Sequence, residues 1–265
     1  MFVDNGFSTR KVHTARPVYL IDHILIIRAL ILRNLRLKHL NRPAGFFVEF
    51  LRPTVIDVTH YYIFSAMGKP MPGGIPVEEF VWAGFAVWMT FTGIWMPIKG
   101  SRAAPSVPFP GVSAMHMRIA ICAWPVMINS VFVYGSFALM MLFGDSNIVF
   151  PNVPLFALIL VITSIFGMGM GLVIGAACRV APMIDPFLHI LPWFLLIGSG
   201  IYGSITSSPR YMQEILVWSP PLHLVEYARY AFDPGYPVSL VNLWYPSFWA
   251  VGLMLLGLSL TKRYR

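Results

Sequence analysis

The chain has 265 residues, of which 57% are hydrophobic and 11% are charged. Soluble domains usually carry about 25% charged residues, so the composition excludes an ordinary soluble domain and indicates a membrane protein. The net charge of +8 would suit nucleic acid, but the positive charge collects at the ends of apolar segments. That pattern is typical of membrane topology and of contact with anionic headgroups, so we expect a membrane partner and no nucleic acid.

Residues 1–45 precede the first predicted span. Residues 1–19 are polar and lack the apolar core and cleavage site of a secretory signal, so they are predicted to form a cytoplasmic tail. Residues 20–40 are predicted to be helical, with most charged side chains within roughly 140° of arc. This pattern favours a helix in the inner-leaflet interface, and a docking surface for a cytoplasmic partner is a compatible second role.

Residues 46–265 are predicted to form one membrane domain of six spans. The predicted spans are 46–67, 78–98, 119–143, 153–177, 186–203 and 243–260. The first span is poor, because Glu49, Arg52, Asp57 and His60 lie within it. An ionisable group at such depth costs about 2.5–3.5 kcal/mol on insertion scales, so these side chains should face protein or water.

The distribution of Lys and Arg predicts the orientation of the spans. Of the 19, fifteen lie on the side of the N-terminus, in residues 1–45 and 99–118, at Arg179 and after the last span. The opposite side holds Lys69, Arg210 and Arg229. Because cytoplasmic segments are enriched in Lys and Arg, both termini are predicted to be cytoplasmic and residues 204–242 to lie outside.

Small residues on the fourth span predict close helix packing. Gly167, Gly171 and Gly175 recur at every fourth residue, which places them on one side of a helix. Cys122 and Cys178 fall in or beside apolar segments, so no disulfide framework is expected.

The most distinctive polar segment is 218–236, WSPPLHLVEYARYAFDPGY. Its double proline, Pro220-Pro221, suits a turn or the first positions of a helix. Its end, Asp233-Pro234-Gly235, combines a helix breaker with a turn residue. A short helix between two spans is therefore predicted here, at the water interface or buried in protein.

Three ionisable residues of this helix follow at steps of three: His223, Glu226 and Arg229. Neighbours at that spacing can hydrogen-bond or pair. The H-x-x-E spacing also suits two metal ligands, but no third ligand is evident nearby and Arg229 would repel a cation. A structural network is the favoured interpretation.

This segment resembles the region before the last span of polysaccharide-exporting ABC permeases of the type-2 exporter superfamily, especially the capsular polysaccharide export permeases. The family pattern is roughly W-N-P-x-x-H-x-x-E-x-x-R and then P-G-Y. It is matched here by Trp218, Pro220, His223, Glu226, Arg229, Pro234, Gly235 and Tyr236. Ser219 replaces the usual Asn, and Leu51-Arg52-Pro53 carries a base where the family motif has an acid.

The resemblance implies an all-α integral membrane protein. Its parts would be six transmembrane helices, an N-terminal amphipathic interface helix, and a re-entrant helical hairpin on the outer side before the last helix. The hairpin would shape the outer gate. The family moves lipid-linked or growing polysaccharide across the bacterial inner membrane, and periplasmic or outer-membrane export components are further expected partners.

The resemblance also implies two copies of the permease and two separate ATP-binding subunits, which would hold the ATP and Mg. The sequence agrees, because a phosphate-binding loop needs G-x-x-x-x-G-K-[ST]. Its only Gly-Lys pair, Gly68-Lys69, has Ile63 and Pro70 at the other two required positions. No cofactor and no enzymatic activity are therefore expected in this chain.

Two further sets of residues follow from the resemblance. The loop 99–118 occupies the place of the family's ATPase-coupling loop, although an ordinary positive-inside loop is the plainer alternative. Its candidate contacts are Lys99, Arg102, Phe109 and Arg118. The first and fifth spans would border the path, where aromatic planes can lie against sugar rings. The candidates there are Tyr61, Tyr62, Trp193, Phe194 and Tyr202.

Two other functions stay open from the sequence. One is an ABC permease for another cargo, such as a lipid or a drug. The other is an intramembrane serine hydrolase that uses Ser199, within Gly198-Ser199-Gly200. Such a serine needs a base within hydrogen-bond reach; His189 lies ten residues earlier and His60 lies in another span.

Overall fold

The structure, a computed structural model, describes residues 20–39, 43–68, 71–100, 112–143 and 152–263. Within these ranges every regular element is a helix, which confirms the all-α prediction there. The α-helices are α1 (Leu20–His39), α2 (Pro43–Ala66), α3 (Val77–Gly100), α4 (Ala114–Phe143), α5 (Val153–Val180), α6 (Leu191–Gly198), α7 (Arg210–Leu216), α8 (Pro220–Phe232) and α9 (Trp244–Arg263). Short 3-10 turns occupy Pro72–Gly74, Pro182–Ile184, Phe187–His189 and Ile205–Ser207.

Four of the described helices are long and apolar enough to cross a membrane. These segments are Val77–Lys99, Met115–Phe132, Val153–Val180 and Trp244–Lys262. They coincide with the second, third, fourth and sixth predicted spans, so the chain is a multi-pass membrane protein. The predicted first span lies in α2, whose 24 residues extend about 36 Å. Helix α2 carries Glu49, Arg52 and Asp57 and is not among these four segments.

The predicted fifth span, 186–203, is wrong as a continuous helix. Helix α6 has eight residues and is therefore about 12 Å long, whereas a span needs about 20 residues. Pro192 lies in its first turn, and Gly200, with a φ of 71°, turns the chain after its end. A Cβ at Gly200 would lie 2.4 Å from Leu222, so this turn requires glycine.

Helix α3 is at the centre of the fold and packs against α2, α4, α5 and α8. Aromatic rings make up much of its contact with α5, where Phe91 stacks on Phe166 with ring centroids 5.3 Å apart. At the far side of the core, Phe156 of α5 meets Phe232 of α8 edge-on at 5.2 Å. Helix α8 is thereby part of the core rather than an appendage.

Glycines bring α5 against two neighbouring helices. On one side, a Cβ at Gly167 or Gly171 would lie 3.2 or 2.8 Å from a backbone carbonyl oxygen of α3, and Gly175 is also next to that helix. On the other side, a Cβ at Gly169 would lie 2.6 Å from the backbone nitrogen of Met254 in α9. Backbones this close leave no room for side chains, as in small-residue packing in membranes.

Contacts define two ends of the helix bundle. At the Lys99 end, Lys99 Nζ lies 2.9 Å from Asp185 Oδ1, and Leu30 of α1 packs on the start of α4. At the opposite end, called here the α8 end, the N–H of Asn152 donates to the carbonyl of Ala231 at 2.6 Å. The two polar regions that charge distribution assigns to opposite sides therefore lie at opposite ends.

We expect Gly171→Ala to destabilise the chain, because its Cβ would lie 2.8 Å from the carbonyl oxygen of Trp95. Overpacking of this kind costs about 1–3 kcal/mol. The midpoint of thermal unfolding of the purified chain in detergent should fall. The matched control is Gly252→Ala on α9, where a Cβ meets nothing within 4 Å. Equal losses in the two variants would contradict the packing described.

Candidate functional site

Helix α8 carries the polar segment into the protein interior. It starts at Pro220, after Ser219 in an extended conformation, and it ends at Phe232, before the extended Asp233. The predicted start and end of this helix are confirmed. Its buried residues include His223, Glu226 and Arg229. Since buried polar groups are costly without partners, these three side chains must find their partners within the protein.

Arg229 is fully buried and donates to three backbone carbonyls. Nη1 reaches Gly200 O and Nη2 reaches Ile201 O, both at 2.9 Å. Nε reaches Phe80 O at 3.3 Å. The guanidinium carbon also lies 3.5 Å from the centroid of the Phe80 ring, a cation–π contact. One side chain thus joins α8 to α3 and to the turn that follows α6.

The position of Arg229 depends on features of both neighbouring segments. Gly84 of α3 leaves the required space, because a Cβ there would lie 3.2 Å from Nη2 of Arg229. The carbonyls of Gly200 and Ile201 lie just beyond the end of α6, where no further helical turn donates to them; Gly200 O also accepts the N–H of Gly203 at 3.3 Å. The carboxyl end of a helix also favours a cation through its dipole.

Glu226 supplies the negative charge beside Arg229. Its Oε1 lies 3.4 Å from Nη1 of Arg229 and accepts the Ile205 N–H at 3.2 Å. Its Oε2 accepts the Ser204 hydroxyl at 3.0 Å. Burial raises the pKa of the Glu226 carboxyl, while Arg229 and the hydrogen-bond donors act in the opposite direction. Glu226 therefore fixes the segment 204–205 on α8.

Tyr236 completes the network after the turn that ends α8. Its hydroxyl oxygen lies 3.5 Å from Nη1 of Arg229, and its ring is buried. Burial raises the pKa of the Tyr236 hydroxyl to about 12, so the phenol stays neutral at physiological pH. The network formed by Glu226, Arg229 and Tyr236 is called here the Arg229 network.

His223 lies one turn earlier and serves a separate contact. Its Nδ1 accepts the N–H of Asn242 at 2.9 Å, so Nε2 carries the proton that is donated to Val217 O at 2.8 Å. The ring packs against Tyr245, with centroids 4.9 Å apart. Burial lowers the pKa of the His223 imidazole. Neutral His223 thereby joins the connections on either side of α8.

The other residues of the segment shape its ends. Pro220 opens α8, whereas Pro234 and Gly235 lie in the exposed turn beyond it. Trp218 is exposed, and its carbonyl accepts the hydroxyl of Tyr245 at 2.9 Å. The segment therefore divides into a buried network and residues that set where the helix begins and ends.

The structure does not support a metal or hydrolytic centre in the part of the chain that it describes. No group of three His, Cys, Asp or Glu residues there could hold a metal ion, and both His223 nitrogens have partners. Ser199 is fully buried and donates its hydroxyl to Leu196 O at 2.6 Å. His60 Nδ1 lies 2.7 Å from Ile56 O, and within the described ranges Ser199 is not hydrogen-bonded to a histidine.

The predicted path residues lie on α2, on α6 and after α6. His60 connects two of these regions, because its ring lies 5.8 Å from the Tyr202 ring and 4.3 Å from the Phe85 ring. Tyr61 and Tyr62 contact each other edge-on. The side chains of Tyr62, Trp193, Phe194 and Tyr202 are exposed. Their lining of a path stays a prediction.

The predicted coupling residues are only partly within the described chain. Lys99 forms the ion pair with Asp185, and Arg118 lies in the first turns of α4. Arg102 and Phe109 lie outside the described residues. The ion pair joins the end of α3 to the connection between α5 and α6.

Asp57 is a polar residue of α2 to which the sequence assigned no role. It is 2% exposed, and its Oδ1 has no hydrogen-bond partner among the residues that the structure describes. A buried carboxyl oxygen without a partner is costly. Such residues inside membrane helices are often functional.

The partners of Arg229 are the part of the site that sequence reasoning missed. Phe80 lies 149 residues from Arg229 in sequence, and Gly200 lies 29 residues away. These partners act through backbone carbonyls, which every residue carries, so side-chain identity gives no signal for them. The glycines at 84 and 200 give a local indication, since each leaves space for a neighbouring side chain.

Comparison with known proteins finds relatives that are named for the transport or export of polysialic acid or capsule polysaccharide. The polysialic acid transport protein KpsM of Escherichia coli is 31% identical over 98 residues, which cover 37% of this chain and 38% of KpsM. The capsule polysaccharide export inner-membrane protein CtrC of Neisseria meningitidis is 20% identical over 246 residues, 90% of this chain and 91% of CtrC. No model of a known protein family matches the chain.

These likenesses confirm the resemblance to polysaccharide export permeases that residues 218–236 indicate. The match to KpsM spans well under half the length of that relative. The match to CtrC extends over nearly the whole of both chains at lower identity.

We expect Arg229→Lys to destabilise the chain strongly although it keeps the charge. A lysine has one nitrogen in place of a planar fork, so it cannot serve carbonyls on two segments, and the abandoned groups stay buried. Losing a partner from a buried pair costs about 3–5 kcal/mol. Thermal unfolding in detergent should show a much lower midpoint for Arg229→Lys. Arg210→Lys, at an exposed site, is the matched control and should match the wild type.

Stability should depend on pH through His223. Its folded pKa is lowered by burial, so the unfolded chain binds the proton more readily. The stabilising contribution is complete above the ordinary value of about 6.5 and is lost as the pH falls below it. Unfolding midpoints between neutral and mildly acidic pH should therefore fall more in the wild type than in His223→Gln. Parallel curves for the two proteins would contradict this assignment.

Proposed function

We propose that the chain is the membrane permease subunit of an ABC exporter that moves capsular or related polysaccharide across the bacterial inner membrane. The observation that carries this proposal is the likeness to CtrC over 90% of the chain. That protein is named for capsule polysaccharide export at the inner membrane. The multi-pass helical fold suits a transport role, and the buried network on α8 suits a structural one.

The proposed membrane arrangement has six crossings. Helices α3, α4, α5 and α9 supply four, α2 supplies the first, and the region of α6 supplies a short fifth. Helix α1 lies in the inner leaflet, and α7 with α8 forms a re-entrant hairpin on the outer side. Both termini are cytoplasmic, because Lys and Arg are enriched in the segments that precede α2, join α3 to α4 and follow α9.

Energy for transport comes from a separate ATP-binding subunit in this proposal. That subunit holds ATP and Mg and contacts the Lys99 end, where the connection 99–118 joins α3 to α4. The Lys99–Asp185 ion pair would move the α3–α4 connection together with the connection between α5 and α6. A second copy of the chain completes the path, and periplasmic or outer-membrane components receive the cargo.

The chain itself makes and breaks no covalent bond in this mechanism. The Arg229 network holds α8, the turn after α6 and the start of α3 as one unit. Opening of the outer gate would move that unit as a rigid piece rather than break its bonds. Exposed aromatic rings, Tyr202 among them, offer flat apolar faces to passing sugar rings.

Deletion of the gene in its own host should abolish surface polysaccharide while intracellular polysaccharide accumulates, since the block lies at export rather than synthesis. The wild-type gene should restore the surface layer. The readouts are polysaccharide in surface extracts and in cell lysates. An unchanged surface layer in the deletion strain would exclude polysaccharide as the cargo.

The same strain tests a single path residue. Tyr202→Ala should reduce surface polysaccharide while membrane levels of the protein stay equal, because it removes an exposed ring next to α2. Tyr202→Phe keeps the ring and is the matched control, expected to export normally. Equal export by Tyr202→Ala and the wild type would remove Tyr202 from the path.

A further inference from the structure

Two histidines meet at the Lys99 end, where α1 contacts the start of α4. His23 Nδ1 lies 2.7 Å from His116 Nε2, and the two ring centroids are 4.9 Å apart. His23 is partly exposed, whereas His116 is buried. Both facing atoms are imidazole nitrogens, so one of them must donate and the other must accept. This hydrogen bond, called here the histidine contact, therefore depends on where the protons of the two rings lie.

The start of α4 determines the position of the proton on His116. The Ser113 hydroxyl oxygen accepts the backbone N–H of His116 at 3.3 Å. In return, the backbone N–H of Ser113 donates to His116 Nδ1 at 3.1 Å. This reciprocal pair is a capping box in which an imidazole takes the place of the usual Glu or Gln. Since His116 Nδ1 accepts, the His116 proton lies on Nε2 and is donated to Nδ1 of His23.

The histidine contact therefore requires both rings to be neutral. A second proton on His23 would occupy Nδ1, so that two N–H groups would face each other. His23 could then donate only if His116 moved its own proton to Nδ1, where that proton would oppose the Ser113 N–H. Histidine is the side chain that ordinarily changes its charge between pH 5 and 8. A fall in pH within that range should break the histidine contact.

Apolar contacts between α1 and α4 lie further along α1. Ile26 and Leu30 follow His23 at spacings of three and seven residues, which places all three on one side of the helix. They pack in one cluster with Met117 and Ala120 of α4. Loss of the histidine contact would therefore release the first turns of α1 and leave the middle of the helix on α4.

The neighbouring charged groups lie on three helices. Asp22 precedes His23 on α1, and Arg118 follows two residues after His116 on α4; both take part in further contacts. Arg28 of α1 is exposed. Helix α2 also packs against α1, and its ionisable residues are Glu49, Arg52, Asp57, His60, Tyr61 and Tyr62. These charges can move the pH at which the contact breaks, but the capping box still determines which nitrogen of His116 donates.

We propose that His23 and His116 form a pH-sensitive contact, which holds the first turns of α1 on α4 while both rings are neutral and releases them when His23 gains a proton. The connection 99–118 leads directly into α4, so the contact lies beside the segment proposed to meet the ATP-binding subunit. The proposal does not depend on the cargo. Its test measures the mobility of α1, so it can fail while the proposed transport function holds.

The test uses the full chain with Ile24→Cys, labelled with a nitroxide and reconstituted in vesicles of phosphatidylethanolamine and phosphatidylglycerol. Ile24 is exposed next to His23, so its EPR spectrum reports the mobility of the first turns of α1. Native Cys122 and Cys178 are buried and should label poorly, which the unsubstituted chain verifies. Spectra are compared at about pH 7.5 and about pH 5.5, near the two ends of the range in which histidine titrates. Val251→Cys on α9, also exposed, is the control for general effects of pH.

We expect an ordered spectrum at the higher pH and a larger mobile component at the lower pH. His23→Asn keeps an acceptor oxygen near the position of Nδ1 and does not titrate, so its spectrum should stay ordered at both values. His23→Ala lacks an acceptor and should be mobile at both.

Equal spectra of the wild-type background at the two pH values would overturn the proposal. A pH response that persists in either His23 variant would also overturn it, as would an ordered spectrum of His23→Ala at the higher pH. Ile21→Cys, exposed in the same turns of α1, provides a second labelling site if Ile24→Cys does not fold.

Discussion

A single buried guanidinium determines how the α8 end of this protein is assembled. Arg229 donates to carbonyls of α3 and of the turn after α6 while Glu226 balances its charge. A buried ion pair alone is a poor source of stability, because desolvation opposes the Coulomb attraction. Here the gain is geometric: three segments that are remote in sequence can satisfy their polar groups only in one arrangement.

Several local features follow from that constraint. The turn after α6 needs a glycine, because Gly200 has a φ of 71° and a Cβ there would also meet the buried Leu222 side chain. Helix α3 needs a small residue at Gly84, because the guanidinium lies against it. Helix α6 ends after eight residues, so the carbonyls of Gly200 and Ile201 just beyond it are available to Arg229 instead of to another helical turn. The early end of α6 and the burial of Arg229 thus depend on each other.

Much of the fold could be predicted from the sequence because the apolar composition of a short stretch identifies a membrane helix. Apolar runs predict α3, α4, α5 and α9, and prolines and the Asp233-Pro234-Gly235 turn predict the limits of α8. The error at 186–203 has a clear cause: apolar composition identifies a segment that leaves water, but it does not reveal where Pro192 and Gly200 interrupt the helix. A short apolar helix and a full span look alike by composition.

The residues of the Arg229 network also divide into those that the sequence can identify and those that it cannot. His223, Glu226 and Arg229 are visible as ionisable side chains at helical spacing, but Phe80 and Gly200 contribute backbone atoms and cannot be recognised by residue type. Lys99 is a similar case. The sequence suggested that it contacts another subunit, but the structure pairs it with Asp185 of the same chain. Sequence identifies which side chains need partners, and only the tertiary fold identifies which groups supply them.

We propose that this chain conducts polysaccharide and that a different subunit supplies the energy. Transport into vesicles tests it most directly, with labelled polysaccharide outside and with the chain reconstituted alone or together with its ATP-binding subunit. We expect accumulation inside the vesicles only when both proteins and ATP are present. Equal accumulation by the chain alone, or none by the complete complex, would contradict it.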